Sequence, residues 1–217
     1  FLPLSQRAYH TYSFESSIRK RYSKMGLDLL MEMVDEFAES KQQPIQDWEG
    51  LDEYTKNLFQ KNDFRAVLHQ VIRQYEEQPE RALALLDKIE ETVPEDWMYL
   101  WHFLNGAAAS QKDYTGRIYK GKFNDMSDRS SDILQQFELS LSYNPDFIPA
   151  LDKKYYELMQ LDRHDGALRA AKELIKKLPL SGRAYLRLAR VHEQYDATGE
   201  TIAAYERATF LSKDNPE

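Results

Sequence analysis

From Asp63 onward, apolar residues recur at helical spacing in blocks divided by short polar turns or by proline. Phe64, Val67, Leu68, Val71, Ile72 and Tyr75 form a broad face behind Asp63, which is placed to cap a helix. Pro79 opens a partner helix with Ala82, Leu83, Leu86 and Ile89 inward, and Pro94 closes it. Asp96 is placed to cap a third helix, with Trp97, Leu100, Trp101, Leu104 and Ala108 on one side; Ile133, Leu134, Phe137 and Leu141 read as its partner. Next, Leu151, Tyr155 and Leu158 fall at i, i+4, i+7. A polar turn ends in Asp165 as the expected cap, and Ala167, Leu168, Ala171, Leu174, Ile175 and Leu178 make a second stripe before Pro179. In the last block Ser181 caps, Tyr185, Leu188, Val191 and His192 face inward, Asp196 to Gly199 turn the chain, and Ile202, Tyr205 and Ala208 pack back. No segment alternates as a strand would, so the pattern predicts an all-α chain.

The blocks repeat. A shift of 34 residues superimposes Pro145 on Pro179, Ala150 on Ala184, Leu151 on Tyr185, Leu168 on Ile202 and Ala171 on Tyr205. One step earlier it superimposes Ile133 on Ala167 and Phe137 on Ala171. Pro94 and Pro145 lie 51 apart, one period plus an insertion of 17 between roughly Gln111 and Ser130. These residues resemble the tetratricopeptide repeat (TPR) family. The match is Tyr185, Leu188, Ala189, Thr201, Tyr205 and Ala208 in the last unit, and Leu151, Ala167, Ala171 and Pro179 in the one before, where Lys154 stands in place of the family's Leu. The likeness is clear for 148–213, weaker for 63–145, and does not cover 1–60.

The resemblance implies a TPR-like α-α superhelix, a solenoid of antiparallel helix pairs over 63–94, 97–145, 148–179 and 182–213. The insertion near 111–130 interrupts the second pair. Residues 1–62 then read as an N-terminal helical cap, since end repeats need an atypical cover; Ile18, Tyr22, Met25, Leu29, Met33 and Phe37 mark one long amphipathic helix there. No linker rich in Gly, Ser or Pro divides the chain, which favours one continuous domain.

Composition narrows the chemistry. The 217 residues include 29 basic and 36 acidic side chains, a formal charge of −7, and no cysteine. Thiolate catalysis, disulfides and Cys-based zinc sites are therefore absent. The acidic balance argues against a general nucleic-acid binder, and no apolar run reaches the roughly 18 residues of a membrane span. The first residue is Phe1 and not Met, which reads as processing or trimming; a cytoplasmic location is the expectation. Charge is divided: residues 1–24 carry five bases against Glu15, and residues 28–53 nine acids against Lys41.

Four groups of residues bear on a possible site. Gly116 to Lys122 has the spacing of a phosphate-binding loop, but Phe123 replaces the hydroxyl that would hold magnesium and no strand precedes it. Within the same insertion, Arg117, Tyr119, Lys120 and Lys122 mix cations with aromatics, a pattern that grips anions, or else covers a helix pair with its charges in water. Arg183 and Arg187 sit four apart on one helix face, with Arg190 a turn further; by family resemblance such a pair helps clamp a peptide's terminal carboxylate, with Lys153 as the one further contributor. The dispersed histidines His10, His69, His102, His164 and His192 have no metal-ligand spacing.

The function implied by the resemblance is a non-catalytic protein-interaction module without a cofactor. It would hold a peptide or partner protein in a groove lined by Trp101, Asn105, Lys153, Tyr156, Gln160, Arg183, Arg187 and Arg190. Two alternatives come from other classes: an acidic inhibitor or immunity protein that blocks a basic toxin or enzyme through residues 28–53, and a hydrolase or lyase with a helical cavity.

Overall fold

The computed structural model describes Asp35, residues 48–120 and residues 126–214. The amphipathic stripe from Ile18 to Phe37, most of the expected cap and the segment 121–125 lie outside the described residues. Among residues 48–214 nine helices are described, in order: α1 (Trp48–Gln60), α2 (Phe64–Gln74), α3 (Pro79–Ile89), α4 (Met98–Lys120), α5 (Met126–Tyr143), α6 (Ile148–Gln160), α7 (His164–Lys177), α8 (Gly182–Gln194) and α9 (Thr198–Asp214). Short 3₁₀ turns at Glu90–Thr92 and Glu95–Trp97 lead into α4. No strand occurs among the described residues. The chain forms two compact units, residues 1–111 and 112–217.

Within the first unit, α2 buries Val67, Leu68, Val71 and Ile72. Asp63 is the cap that the sequence predicts: its carboxylate accepts the backbone N–H of Arg65 at 2.9 Å. Pro79 occupies the first turn of α3, where its missing N–H costs no hydrogen bond. Ala82, Leu86 and Ile89 then turn inward. Trp97 meets Phe64 edge-on at 5.2 Å, and Trp97, Leu100, Trp101, Leu104 and Ala108 are all buried.

Within the second unit, one core joins Leu134 of α5, Leu151, Tyr155 and Leu158 of α6, Ala167, Ala171 and Leu174 of α7, and Ala184 and Val191 of α8. Each Leu buried this way contributes roughly 1.5–3 kcal/mol. Small residues let the helices approach. A Cβ on Gly182 would lie 2.8 Å from the carbonyl oxygen of Ala208 and would also strike Ser212 Oγ, so α8 and α9 touch where that methyl is missing.

Three interhelical turns share one backbone form. Asn62, Asp162 and Asp196 have positive φ of 55°, 54° and 52°. The next N–H reaches back five residues in each: Asp63 to Leu58, Arg163 to Leu158 and Ala197 to His192, at 3.0, 2.9 and 3.2 Å. This closes the helix end with a left-handed residue, which Asn and Asp tolerate better than other side chains. Two of the three lie 34 apart, as the period predicts. The third lies between α1 and α2, so the hairpin with this turn starts one helix before the pair read over 63–94.

The structure corrects three details. The expected insertion near 111–130 is helical over much of its length, because α4 continues to Lys120 and α5 begins at Met126. Helix α7 starts at His164, one residue before the expected cap Asp165, and no side chain caps it. Ile202 does not pack back but is 53% exposed. Its counterpart one period earlier, Leu168, packs against the core. Helix α9 is the last described helix of its unit, and no further hairpin follows it among the described residues.

Candidate interaction surface

The second unit brings α6 and α8 side by side, and six of the expected groove residues lie on them. Arg187 is the pivot. It is 3% exposed, a rare state for an arginine, and it is compensated by a fork-to-carboxylate pair. Its Nε donates to Asp152 Oδ1 at 2.9 Å and its Nη2 to Asp152 Oδ2 at 3.2 Å. The guanidinium carbon stands 4.4 Å from the centre of the Tyr156 ring. Arg187 is therefore not a groove-lining residue, which corrects the sequence reading. Its charge already holds a carboxylate supplied by the chain, that of Asp152.

Around this floor the remaining residues keep their side chains toward solvent. Arg183, Arg190 and Gln160 are exposed, while Lys153 and Tyr156 are half-buried. Arg183, Arg190 and Lys153 make no ion pair among the described residues, in contrast to Lys154, which reaches Glu138 at 3.0 Å. Arg190 follows Arg187 by three residues and lies close enough to Tyr155 and Tyr205 to act on both phenols. The two helices thus carry Tyr156 and three cations with no ion pair among the described residues, in a unit whose overall balance is 17 basic against 17 acidic side chains.

Tyr155 sits beneath this surface. It is almost wholly buried, and its hydroxyl donates to the carbonyl oxygen of Arg187 at 3.1 Å. Burial pushes the phenol up to about 12, against the opposing pull of Arg187 and Arg190. Sequence reading missed Asp152 and Tyr155 as the parts that fix Arg187. The signal lay in the period, since Asp152 and Arg187 fall one period and one residue apart, on the facing helices of consecutive units.

The other expected positions separate from this surface. Trp101 belongs to the first unit, is 5% exposed, and its indole N–H donates to the carbonyl oxygen of Leu86 at 3.1 Å. Its bulk and its one donor are both committed to the interior, so it is core and not a lining residue. Asn105, in the same unit, is half-buried. Arg117, Tyr119 and Lys120 lie on the helical backbone of α4; Lys122 and, apart from Asp35 and residues 48–53, the contact expected of 28–53 fall outside the described residues. Asp63 has its pKa raised by burial but held low overall by Arg65, and Asp146 is held low by Lys177. The described residues contain no cluster of metal-binding side chains and no helix long and apolar enough to cross a membrane.

No protein-family model matches this chain, and no curated protein does. Solved structures do. One titled "Crystal structure of MamA" superimposes with a TM-score of 0.61 at 16% identity, covering 82% of this chain and 94% of that one. A second, "Crystal structure of MamA protein", gives 0.58 at 16% identity, with 87% and 93% covered. MamA is a TPR-like helical protein, so the chain shares the all-α helical-repeat fold that its period predicts. At this identity the likeness speaks of fold alone.

Proposed function

We propose that this chain is a non-catalytic protein-interaction module, and that the α6/α8 face takes an acidic, extended segment of a partner protein. The observation that carries the reading is that Lys153, Arg183 and Arg190, with no ion pair among the described residues, share α6 and α8 with the half-buried Tyr156. Its ring is held by a guanidinium that is itself locked to Asp152. Such a floor loses little side-chain freedom when a ligand arrives, and a rigid aromatic flanked by arginines is the composition that carries most binding energy in protein interfaces. The helical-repeat fold supports the same reading, because stacked hairpins leave a continuous helix face without a catalytic constellation.

The test is fluorescence anisotropy with a labelled peptide rich in Glu and Asp, beside its Gln/Asn counterpart. The acidic peptide should bind, and its affinity should fall steeply with salt. R183E combined with R190E should weaken it about tenfold or more. R169E, on the exposed side of α7, should leave it unchanged. Equal binding of both peptides, or equal loss in both variants, rejects the reading.

A further inference from the structure

The first unit holds a feature independent of the α6/α8 face. Between α1 and α2 lies a partly open cleft of about 350 Å³, lined by Thr55, Lys56 and Phe59 from α1 and Gln70, Arg73 and Gln74 from α2. That volume suits a small ligand. Two polar groups in its wall are buried without a partner. Thr55 is 2% exposed and its Oγ1 makes no hydrogen bond; Gln74 is 7% exposed and its Nε2 makes none. The Gln74 carbonyl oxygen is taken, since it accepts from Gln70 Nε2 at 3.1 Å.

Buried donors without partners are uncommon in folded proteins, and each calls for an explanation. Here their neighbours point to one. Among the described residues, the lining has a hydroxyl, two amides, an ammonium and a guanidinium, and no carboxylate. A site of donors and positive charge is complementary to an anion. Phe59 adds an apolar wall for carbon atoms. A planar carboxylate on a short carbon chain fits this set better than a phosphate, whose tetrahedral oxygens would leave the ring side unused.

We propose that the α1/α2 cleft binds a carboxylate group, with the Thr55 hydroxyl and the Gln74 amide as donors and Lys56 and Arg73 as the charges that attract it. The carboxylate comes either from a free short-chain dicarboxylic acid or from an acidic side chain of a peptide, and the experiment separates the two. Calorimetry is run on the full chain carrying R183E and R190E, so that binding at the α6/α8 face does not contribute. The probes are glutarate, a Glu-containing hexapeptide and inorganic phosphate, each up to about 10 mM, a range that captures millimolar affinity.

Glutarate binding without peptide binding assigns a free acid; the reverse assigns an acidic side chain. In this background T55V and Q74M should each weaken the bound probe about tenfold, the usual cost of losing a hydrogen bond to a charged group. K56A and R73Q, both at exposed positions, should weaken it without any change in the circular dichroism spectrum; they keep the test decisive if a core variant fails to fold. No heat with either carboxylate, stronger binding of phosphate, or unchanged affinity in K56A and R73Q overturns the proposal.

Discussion

Tyr155 and Arg187 are joined twice: the phenol donates to the arginine's carbonyl oxygen at 3.1 Å, and the guanidinium carbon lies 5.6 Å from the centre of the same ring. One helix of a hairpin is thereby fastened to the first helix of the next through both backbone and side chain. Tyr155→Phe keeps the ring and leaves that carbonyl without its partner, and should cost about 1–2 kcal/mol in urea unfolding. The phenol's own titration adds a pH signature. With its pKa pushed up to about 12 from 10 in the folded protein, the unfolded chain releases this proton first. The associated stability is complete below pH 10 and is lost as pH rises toward 12. Wild type should therefore lose stability relative to Tyr155→Phe across that alkaline window, and parallel curves would contradict this.

The pairing of Arg187 with Asp152 predicts strong coupling. Arg187→Met keeps most of the bulk and leaves Asp152 alone, its side chain 30% exposed. The loss should be about 2 kcal/mol, less than the 3–5 typical of fully buried pairs because water still reaches the carboxylate. Asp152→Asn should also destabilise. In a double-mutant cycle the two should couple by about 1–3 kcal/mol; additive losses would mean that the bond contributes nothing of its own.

Two glycines in the second unit should respond in opposite directions. Gly182→Ala places a methyl against the Ala208 carbonyl and Ser212, and should destabilise by about 1–3 kcal/mol. Gly199, in the first turn of α9, has nothing near the position of a Cβ. Gly199→Ala should be neutral or stabilise by up to about 1 kcal/mol, as helix propensity and unfolded-state entropy dictate. Thermal melts of the two variants decide it.

Asp63 predicts an acid-side effect. Burial raises its pKa, but the hydrogen bonds and charge of Arg65 outweigh burial and hold it below the ordinary 3.8. Its stabilisation is present above the unfolded value and fades as pH drops through the folded one. Asp63→Ala should cost about 1 kcal/mol near neutrality, the usual worth of a helix cap. The gap between the two proteins should close below about pH 4, because the cap accepts from Arg65 best when ionised. A constant gap down to pH 2 would assign the cap to geometry alone.

Much of the fold was legible because its cause is periodic. Ala150, Leu151, Ala167, Ala171 and Leu174 face the core because 3.6-residue spacing leaves them no other place in a helix, and the prolines at 79 and 149 open helices for lack of an N–H. The candidate surface was legible only as helix faces. Arg183, Arg187 and Arg190 share a stripe, yet one of them turns inward because Asp152 waits on the neighbouring helix, and that pairing depends on how two hairpins stack. Trp101 misled for a related reason. A tryptophan on a helix face suits a groove as well as a core, and the Leu86 carbonyl that receives its N–H lies fifteen residues away. Ile202 exposed the weakness of extending a period to the last described helix, where no described neighbour covers the stripe.

The three left-handed hinges carry a further consequence. Asn62, Asp162 and Asp196 hold a backbone shape that glycine adopts freely, so each hinge is specified by its main chain more than by its side chain. The hairpin tips are in effect exchangeable parts. A tripeptide moved from one tip to another would find the shape it needs already cut for it, while the helices on either side, whose contacts differ from hairpin to hairpin, would accept no such trade.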